Sequence, residues 1–365
     1  MKKEHILIIR FSALGDVAMT VPVVYSLARQ YPHLRITVLS RSFARPFFDS
    51  LAPNVSFMEA DLKYEYHGVK GLNTLYRRLA AKQFTAIADF HNVLRSDYLR
   101  MRFNLGRYRV EHIDKHRRQR RQLVSYNNKV RESLPSSFQN YADVLARLGY
   151  PVELEFTSIF AKGTEAVLPL TDEQKGDLGM LPAAIGRKRD SEQWIGLAPF
   201  AAYEGKVYPL HLMRQVVDGL VARHPQCRIF LFGRGQEEKR AFDDWCRDVP
   251  QCLNVSGQIE GLFLELVLMS HLDVMVSMDS ANMHLASLVA VPVVSVWGAT
   301  HPMAGFMGWN QKEANIVQAD LDCRPCSIFG KKPCMRGDYA CMNNIKPEQI
   351  LGRIESILTK NQEET

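Results

Sequence analysis

Three ionisable side chains of this sequence lie in polar loops that directly follow apolar runs: Asp16, Lys206 and Asp279. A carboxylate in a dry cleft can take a proton from an attacking hydroxyl group. A lysine ammonium can neutralise a departing diphosphate. Because Asp279 is acidic, we expect it to meet hydroxyl groups of a ligand rather than a phosphate. These residue types favour transfer of a group from a phosphate-linked donor to a hydroxyl.

The stretch 277–300 brings phosphate and hydroxyl recognition together. It predicts a buried strand, the polar turn Asp279-Ser280-Ala281, a short helix that carries His284, and a second buried strand. The free N–H groups at a helix start favour an anion, typically a phosphate. A phosphate beside a polyol is the description of a nucleotide sugar.

Each of these residues also has an ordinary structural interpretation. Asp16 can simply cap the helix that follows it, and capping is compatible with catalysis. A lysine such as Lys206 is commonly a solvated surface residue, although its loop follows a strand at the carboxyl edge of the predicted sheet. A histidine near a helix start, such as His284, is commonly a core residue with a satisfied hydrogen bond. The sequence leaves these alternatives open.

Strands alternate with helices in both halves of the chain, which predicts parallel sheets with helical crossovers. We therefore predict an α/β fold with two Rossmann-like, doubly wound domains that face each other across a cleft. In such folds ligands bind at the carboxyl ends of the strands. The predicted domains are residues 1–165 and 190–345, followed by a terminal helix and tail at 346–365.

Length and composition narrow the class of protein. The 365 residues exceed the size at which single cores stop growing, so two domains are expected. No apolar run reaches the roughly 18 residues that cross a bilayer. The N-terminal run is too short for a secretory signal and lacks a small-residue cleavage site. We therefore expect a cytoplasmic protein, and the formal charge of +7 favours an anionic partner.

The segment HIDKHRRQRRQ, residues 112–122, carries much of the positive charge. One interpretation is a solvated loop or helix face. The alternative is a footprint for a polyanion such as nucleic acid, anionic lipid head groups or an acidic sugar. The basic residues are not interleaved with aromatic ones, so we expect no nucleic-acid partner. Phosphate or carboxylate recognition by the forks of Arg117 and Arg118 is the favoured function.

Four of the seven cysteines cluster near the C-terminus. They are Cys323, Cys326, Cys334 and Cys341. The C-x2-C opening with two further thiols is compatible with a structural zinc site. Free thiols are the slightly favoured alternative, and structural disulfides are disfavoured in a cytoplasmic protein.

Two motifs carry a resemblance to a known family. The loop R-F-S-A-L-G-D at 10–16 is followed by V-x-x-T-V-P, and D-S-x-x-x-H-L-A at 279–286 is followed by P-V-V-S-V-W-G. This pair resembles the two signatures of glycosyltransferase family 9, the ADP-heptose:lipopolysaccharide heptosyltransferases. The resemblance implies a GT-B fold and inverting transfer of a heptose from ADP-heptose to a Kdo or heptose residue of the lipopolysaccharide inner core, with no required cofactor.

The resemblance also implies roles for individual residues. Asp16 would activate the acceptor hydroxyl and Lys206 would neutralise the departing diphosphate. The donor-binding residues would be Ser12, Gly15, Pro199, Glu237, Asp279, Ser280, Ala281 and His284. The acceptor-binding residues would be His91, Asn92, Arg95, Arg117 and Arg118. The implied partners are a nucleotide-sugar donor, a lipid-linked acidic glycan acceptor and the cytoplasmic face of the inner membrane.

The sequence departs from the family pattern in two places. The family often has P-G-S-x-W-x-x-K-R-W before the first helix of the second domain, where this chain has A-P-F-A-A-Y-E-G-K-V-Y-P. Ala281 stands where glycine is usual, although alanine still supplies its backbone N–H. Another nucleotide sugar therefore stays open as the donor. A non-catalytic relative that binds a nucleotide sugar or glycan is also open, and it would need Asp279 but not Asp16.

Overall fold

The computed structural model describes residues 4–162, 165–166, 185–189 and 191–363. They form two compact units: one contains residues 4–115, 135–159 and 166, and the other contains residues 116–134, 160–162, 165, 185–189 and 191–363. Residues 116–134 lie in the range predicted for the first domain, yet they group with the second unit. Contacts such as Lys129 Nζ to the Cys323 carbonyl at 2.7 Å hold them there. Most of the chain between the two predicted domains lies outside the described residues, as does residue 190 at the start of the second.

The first unit contains a five-stranded parallel sheet. Its strands are β1 (His5–Ile9), β2 (Arg35–Ser40), β3 (Val55–Glu59), β4 (Ala86–Asp89) and β5 (Arg109–His112). Their order is β3-β2-β1-β4-β5, with Ile6 opposite both Ile36 and Ala86. All five residues of β1 are buried, as expected for an apolar strand covered on both faces.

Six α-helices lie among the described residues of this half of the chain. They are α1 (Leu14–Ala18), α2 (Val21–Gln30), α3 (Gly68–Ala80), α4 (Leu94–Leu105), α5 (Arg117–Leu123) and α6 (Ser137–Arg147). A 3₁₀ helix covers Ser42–Phe47. The sequence predicts one continuous helix over residues 16–31, but the structure has two, α1 and α2. The helix is interrupted before Pro22, the second residue of α2, because proline has no backbone N–H to donate to the preceding turn. The short basic helix α5 belongs to the second unit.

The second unit contains a six-stranded parallel sheet. After the short pair β6 (Phe160–Lys162) and β7 (Glu165–Ala166), its strands are β8 (Trp194–Ala198), β9 (Arg228–Leu231), β10 (Cys252–Asn254), β11 (Val274–Met278), β12 (Val293–Trp297) and β13 (Ile316–Gln318). Their order is β10-β9-β8-β11-β12-β13. Its helices are α7 (Leu210–Arg223), α8 (Gln236–Asp248), α9 (Leu262–Ser270), α10 (Ala281–Leu288), α11 (Ala340–Asn343) and α12 (Pro347–Glu363).

Both sheets have the strand order of a doubly wound fold, which confirms the predicted α/β class. In each sheet the order reverses beside the first strand, between β1 and β4 and between β8 and β11. The loops that leave these strands in opposite directions open a crevice at the carboxyl edge, where such folds bind ligands. The predicted terminal helix is present as α12, and residues 364–365 of the predicted tail lie outside the described residues. In the described part of the chain no helix is both long and apolar enough to cross a membrane.

Candidate active site

Asp16 lies in the loop-to-helix turn after β1, at the switch point of the first sheet. Its Oδ2 accepts a hydrogen bond from the backbone N–H of Ala13 at 3.1 Å. The same oxygen lies 2.9 Å from the guanidinium of Arg10. The carboxylate therefore does cap α1, as its structural interpretation predicts, and it is also oriented by a cation. Its side chain is 32% exposed, so a ligand can reach it.

Arg10 is the residue that sequence reasoning missed here. Its guanidinium is buried and donates a 2.7 Å hydrogen bond to the carbonyl of Phe90, at the end of β4. Burial by itself lowers the pKa of Arg10, but Tyr141, Asp16 and Asp89 raise it, and the net shift is upward. A permanently charged arginine thus links the two strands of the switch point to Asp16. The signal in the sequence is an arginine that ends an otherwise apolar strand.

The turn after β4 is organised by the buried Asp89. Its Oδ1 accepts hydrogen bonds from the backbone N–H groups of His91 and Asn92. Asn92 has a φ of 50°, and its side-chain amide donates to the carbonyl of Ile113 at 2.9 Å. The predicted acceptor residue Asn92 therefore connects this turn to the segment after β5. Its side chain is directed to these contacts, whereas His91 faces the cavity described next.

A cavity of about 1060 Å³ lies at the carboxyl edge of the first sheet. Of the predicted residues, it is lined by Ser12, His91 and Arg95. It is also lined by charged residues that the sequence did not single out, namely Arg41, Lys63, Glu59 and Asp61. Gly15 is buried in α1. The structure thus joins three of the predicted residues in one concave surface that contains three Arg or Lys side chains.

His91 is mostly buried in this cavity, and its ring is in edge contact with Phe11. Burial, together with the charges of Arg10 and Lys115, lowers the pKa of His91 to about 3. Its imidazole is therefore neutral at pH 7. Within the cavity, attraction for an anion comes from the arginine and lysine side chains, and His91 contributes hydrogen bonding.

The predicted acceptor residues Arg117 and Arg118 are elsewhere. Both are exposed on α5, which groups with the second unit. The structure therefore does not bring them together with His91 and Arg95 within one unit. Their α5 neighbour Arg120 lies over the aromatic rings of Phe306 and Phe329, with its guanidinium carbon 5.0 and 5.7 Å from the ring centroids.

Lys206 and Asp279 meet at the switch point of the second sheet. Lys206 ends a 3₁₀ helix, Glu204–Lys206, in the loop after β8, and Asp279 directly follows β11. Lys206 Nζ lies 3.0 Å from Asp279 Oδ2, and the two side chains are only 15% and 7% exposed. The hydroxyl of Thr300, just beyond β12, donates to the same oxygen at 2.7 Å. Sequence reasoning identified both charged residues but neither their pairing nor Thr300.

The helix start beside Asp279 is formed as predicted. Ser280 is the N-cap of α10, with φ −143° and ψ −179°, and Ala281 is its first residue. The first backbone N–H groups of a helix have no partner within the helix, so this turn can bind a phosphate. His284 lies one turn further on and is buried. Oriented amides and the Lys206 ammonium therefore flank one carboxylate in a mostly buried setting.

The loop that carries Lys206 is held tightly against the end of β12. Pro199 is buried directly after β8. The N–H of Ala299 donates to the carbonyl of Gly205 at 2.8 Å. A Cβ atom on Gly298 would lie 2.5 Å from that carbonyl oxygen, so glycine is required for this close approach. The lysine therefore projects from a fixed backbone.

Glu237 and Glu238 lie in the first turn of α8, which follows β9. Glu238 Oε2 accepts hydrogen bonds from the backbone N–H groups of Arg234 and Gly235 at 2.6 and 3.0 Å. Glu238 therefore serves as an N-terminal cap. The predicted donor residue Glu237 is its exposed neighbour in the first turn.

The four clustered cysteines are free thiols in the structure. Burial, and the neighbouring Cys323 and Cys334, raise the pKa of Cys326; burial is also the main reason that the pKa of Cys341 rises to about 11. Among the described residues, no group of three or more His, Cys, Asp or Glu side chains is arranged to hold a metal ion. A structural zinc at these thiols stays a prediction, with free thiols as its alternative.

Each sheet has a carboxylate–cation pair at its switch point, and in the second sheet a helix begins beside that pair. These are features of α/β proteins that bind ligands at the carboxyl ends of their strands. The family model of glycosyltransferase family 9 (heptosyltransferase) matches residues 72–336, and the chain belongs to this family.

Known relatives agree with this assignment. The chain is 22% identical to lipopolysaccharide heptosyltransferase 1 of Pseudomonas aeruginosa, over 97% of this chain and 98% of that protein. It is 24% identical to lipooligosaccharide heptosyltransferase 2 of Campylobacter jejuni over 178 residues, and this match spans about half of that relative, 52%. The structure of the Escherichia coli ADP-heptose lipopolysaccharide heptosyltransferase II superposes with a TM-score of 0.66 at 16% identity, over 98% of this chain and 99% of that one. This likeness confirms the predicted GT-B fold.

Proposed function

We propose that the protein is an inverting glycosyltransferase that moves a heptose from ADP-heptose to a Kdo or heptose residue of the lipopolysaccharide inner core. The observation that carries the proposal is the buried Lys206–Asp279 pair beside the start of α10. This arrangement suits a diphosphate next to a sugar, because the ammonium and the amides neutralise phosphate oxygens while the carboxylate accepts hydrogen bonds from hydroxyl groups.

In the proposed reaction Asp16 takes the proton of the acceptor hydroxyl as its oxygen attacks the anomeric carbon of the heptose. The bond from that carbon to the diphosphate oxygen breaks, and the diphosphate leaves with the electron pair. Lys206 and the N–H groups of Ser280 and Ala281 stabilise the negative charge that develops on the diphosphate. A single displacement inverts the anomeric configuration and needs no covalent intermediate.

The donor assignment rests on the family and on the relatives' names. Within this chain, Asp279 would hold donor hydroxyl groups, His284 would donate to a phosphate oxygen, and Pro199 and Glu237 would border the donor. The remaining proposed contacts come from Ser12 in the loop after β1 and from Gly15 in α1. Alanine at position 281 leaves the backbone N–H in place, which supports retention of the phosphate contact.

The acceptor is proposed to be an acidic glycan. Arg41, Lys63 and Arg95 line the cavity of the first unit and outnumber its two carboxylates, Glu59 and Asp61. An arginine fork binds a carboxylate through two parallel hydrogen bonds, and Kdo is a sugar acid. The cavity volume of about 1060 Å³ is sufficient for more than one sugar ring.

Peripheral contact with the cytoplasmic face of the inner membrane is part of the proposal. Arg117 and Arg118 are exposed on α5, and Phe329, which lies against Arg120 of the same helix, exposes 48% of its surface. Basic residues near an anionic lipid surface each contribute about 1 kcal/mol of attraction. Co-sedimentation with phosphatidylglycerol vesicles should weaken in Arg117→Gln/Arg118→Gln and stay unchanged in Lys239→Gln/Arg240→Gln, which alters exposed cations of α8.

The test of function is a calorimetric titration with ADP-, UDP- and GDP-linked sugars, followed by mass spectrometry of a Kdo-containing acceptor. We expect ADP-heptose to bind and the acceptor to gain one heptose. Binding without transfer to any acceptor would support the non-catalytic alternative. Preference for a UDP- or GDP-linked sugar would contradict the heptose assignment while leaving glycosyl transfer intact.

A further inference from the structure

The segment Arg324–Tyr339, here called the bracing segment, crosses the carboxyl end of β12. The buried Arg324 donates hydrogen bonds to the carbonyls of Trp297 and Thr300 at 3.1 and 3.0 Å, and also to that of Gly298. The backbone N–H groups of Cys326 and Ser327 donate to the carbonyl of Ala299. The start of the segment is thereby fixed next to the loop that contains Lys206.

The rest of the bracing segment contacts three residues of that loop. The ammonium of Lys331 lies 5.5 Å from the centroid of the Tyr203 ring. The hydroxyl of Tyr339 donates to the Glu204 carboxylate at 2.8 Å. Gly330 lies against the side chain of Lys206 itself. Contacts to Tyr203, Glu204 and Lys206 indicate a surface fitted to this loop.

Gly330 is the residue where a side chain would interfere. A Cβ atom at this position would lie 2.6 Å from both Cγ and Cδ of Lys206, far inside van der Waals contact. The ammonium of Lys206 is held 3.0 Å from Asp279 and its backbone is held at Gly205, so the middle of the side chain has little room to move. A methyl group at position 330 would force the ammonium away from Asp279.

We infer that Gly330 is a positioning residue for Lys206: its missing side chain provides the channel through which the lysine reaches Asp279. The inference rests on the proposed function, in which Lys206 neutralises the departing diphosphate. The role that it assigns to the bracing segment requires no bound metal. The segment forms one wall of the lysine channel.

The chain offers a matched control. Gly330 and Gly337 have nearly the same φ, 78° and 77°, and a Cβ at Gly337 would meet no atom within 4 Å. Gly330→Ala and Gly337→Ala therefore both place an alanine at a left-handed φ, but only the first contacts Lys206. We expect Gly330→Ala to lower kcat at least 10-fold and to weaken ADP binding in calorimetry, and Gly337→Ala to stay within 2-fold of the parent in both.

A double-mutant cycle with Lys206→Ala tests the mechanism directly. Lys206→Ala removes Cγ and Cδ, so adding Gly330→Ala to it should change kcat by less than 2-fold. Multiplicative losses would overturn the inference, as would equal effects of Gly330→Ala and Gly337→Ala. If Gly330→Ala does not fold, Gly330→Asn keeps the Cβ in a residue that tolerates this φ, and the same cycle applies.

The two hypotheses fail differently. A large loss in Lys206→Ala with a fully active Gly330→Ala would overturn only the positioning role. An unchanged kcat in Lys206→Ala would overturn the proposed role of the lysine and, with it, the role of Gly330.

Discussion

Both sheets have a carboxylate paired with a cation at the switch point, and the two pairs differ in their exposure and in the type of cation. In each, one carboxylate oxygen receives two donors, one of them a cation: Arg10 and the N–H of Ala13 on Asp16, Lys206 and the hydroxyl of Thr300 on Asp279. Asp16 is 32% exposed, whereas Asp279 is 7% exposed. The first carboxylate is oriented but accessible, and the second is enclosed.

The cations differ as well. Arg10 continues the buried strand β1 and is anchored to the Phe90 carbonyl, so it has no freedom to leave Asp16. Lys206 comes from a separate loop and ends in a single ammonium with three donors, which can serve Asp279 and an incoming phosphate together. This difference agrees with the proposed roles. Asp16 would be a fixed base on the acceptor side, and Lys206 would be a cation shared between Asp279 and the donor diphosphate.

The strongest test of the contrast is Asp16→Asn. Asparagine keeps a hydrogen-bond acceptor for Ala13 but cannot take a proton, so we expect kcat to fall about 10²–10⁴-fold. Calorimetry should show ADP-heptose affinity within about 2-fold of the parent, given the role assigned to this residue. A variant that keeps more than a tenth of the parent kcat would rule out Asp16 as the base.

Asp279→Asn should act on stability as well as on the donor. Removing this charge leaves the Lys206 ammonium mostly buried without its counter-charge, which costs about 3–5 kcal/mol in buried pairs. Urea unfolding should report this loss. Asp218→Asn, which breaks the exposed Arg214–Asp218 pair of α7, is the control and should cost about 0–1 kcal/mol. Equal losses in the two variants would show that the pair is not enclosed in solution.

His91 makes the first unit sensitive to acid. Its pKa is about 3 in the folded protein and about 6.5 when unfolded, so below pH 6.5 the unfolded state binds the proton first. Stability is therefore lost as pH falls from about 6.5 towards 3, by about 2 kcal/mol at pH 5 relative to pH 7. His91→Gln should remove this part of the loss in urea titrations at both pH values, and the exposed His33→Gln should not.

The parent is compared with the variant at each pH because His301, whose pKa is lowered to about 4 mainly by burial, contributes in the same direction. An identical pH dependence in the parent and in His91→Gln would contradict the assignment of a neutral, buried imidazole at position 91.

The smallest expected effect is that of Thr300→Val, which removes one hydrogen bond to Asp279 and leaves the Lys206 pair. We expect a stability loss of about 1 kcal/mol and a KM for the donor raised by less than about 10-fold, with kcat little changed. A fall in kcat as large as that of Lys206→Ala would show that Thr300, rather than the lysine, fixes the orientation of Asp279.

The sequence by itself determined the α/β class and the loops that carry Asp16, Lys206 and Asp279. Apolar strand runs and the turns that follow them are local patterns, and parallel strands must end at a common edge. Reliance on local patterns also explains where the prediction was wrong. One predicted helix over residues 16–31 is two in the structure, because apolar spacing alone did not reveal the break before Pro22.

Only the tertiary structure decided which groups meet. The pairing of Lys206 with Asp279, the contact of Arg10 with both Asp16 and Phe90, and the grouping of α5 with the second unit all join distant parts of the chain. Strand order sets such contacts, and residue type at one position carries no information about them. The fit of Gly330 against Lys206 is the sharpest case, since a glycine looks the same in sequence whether its open side faces solvent or a lysine.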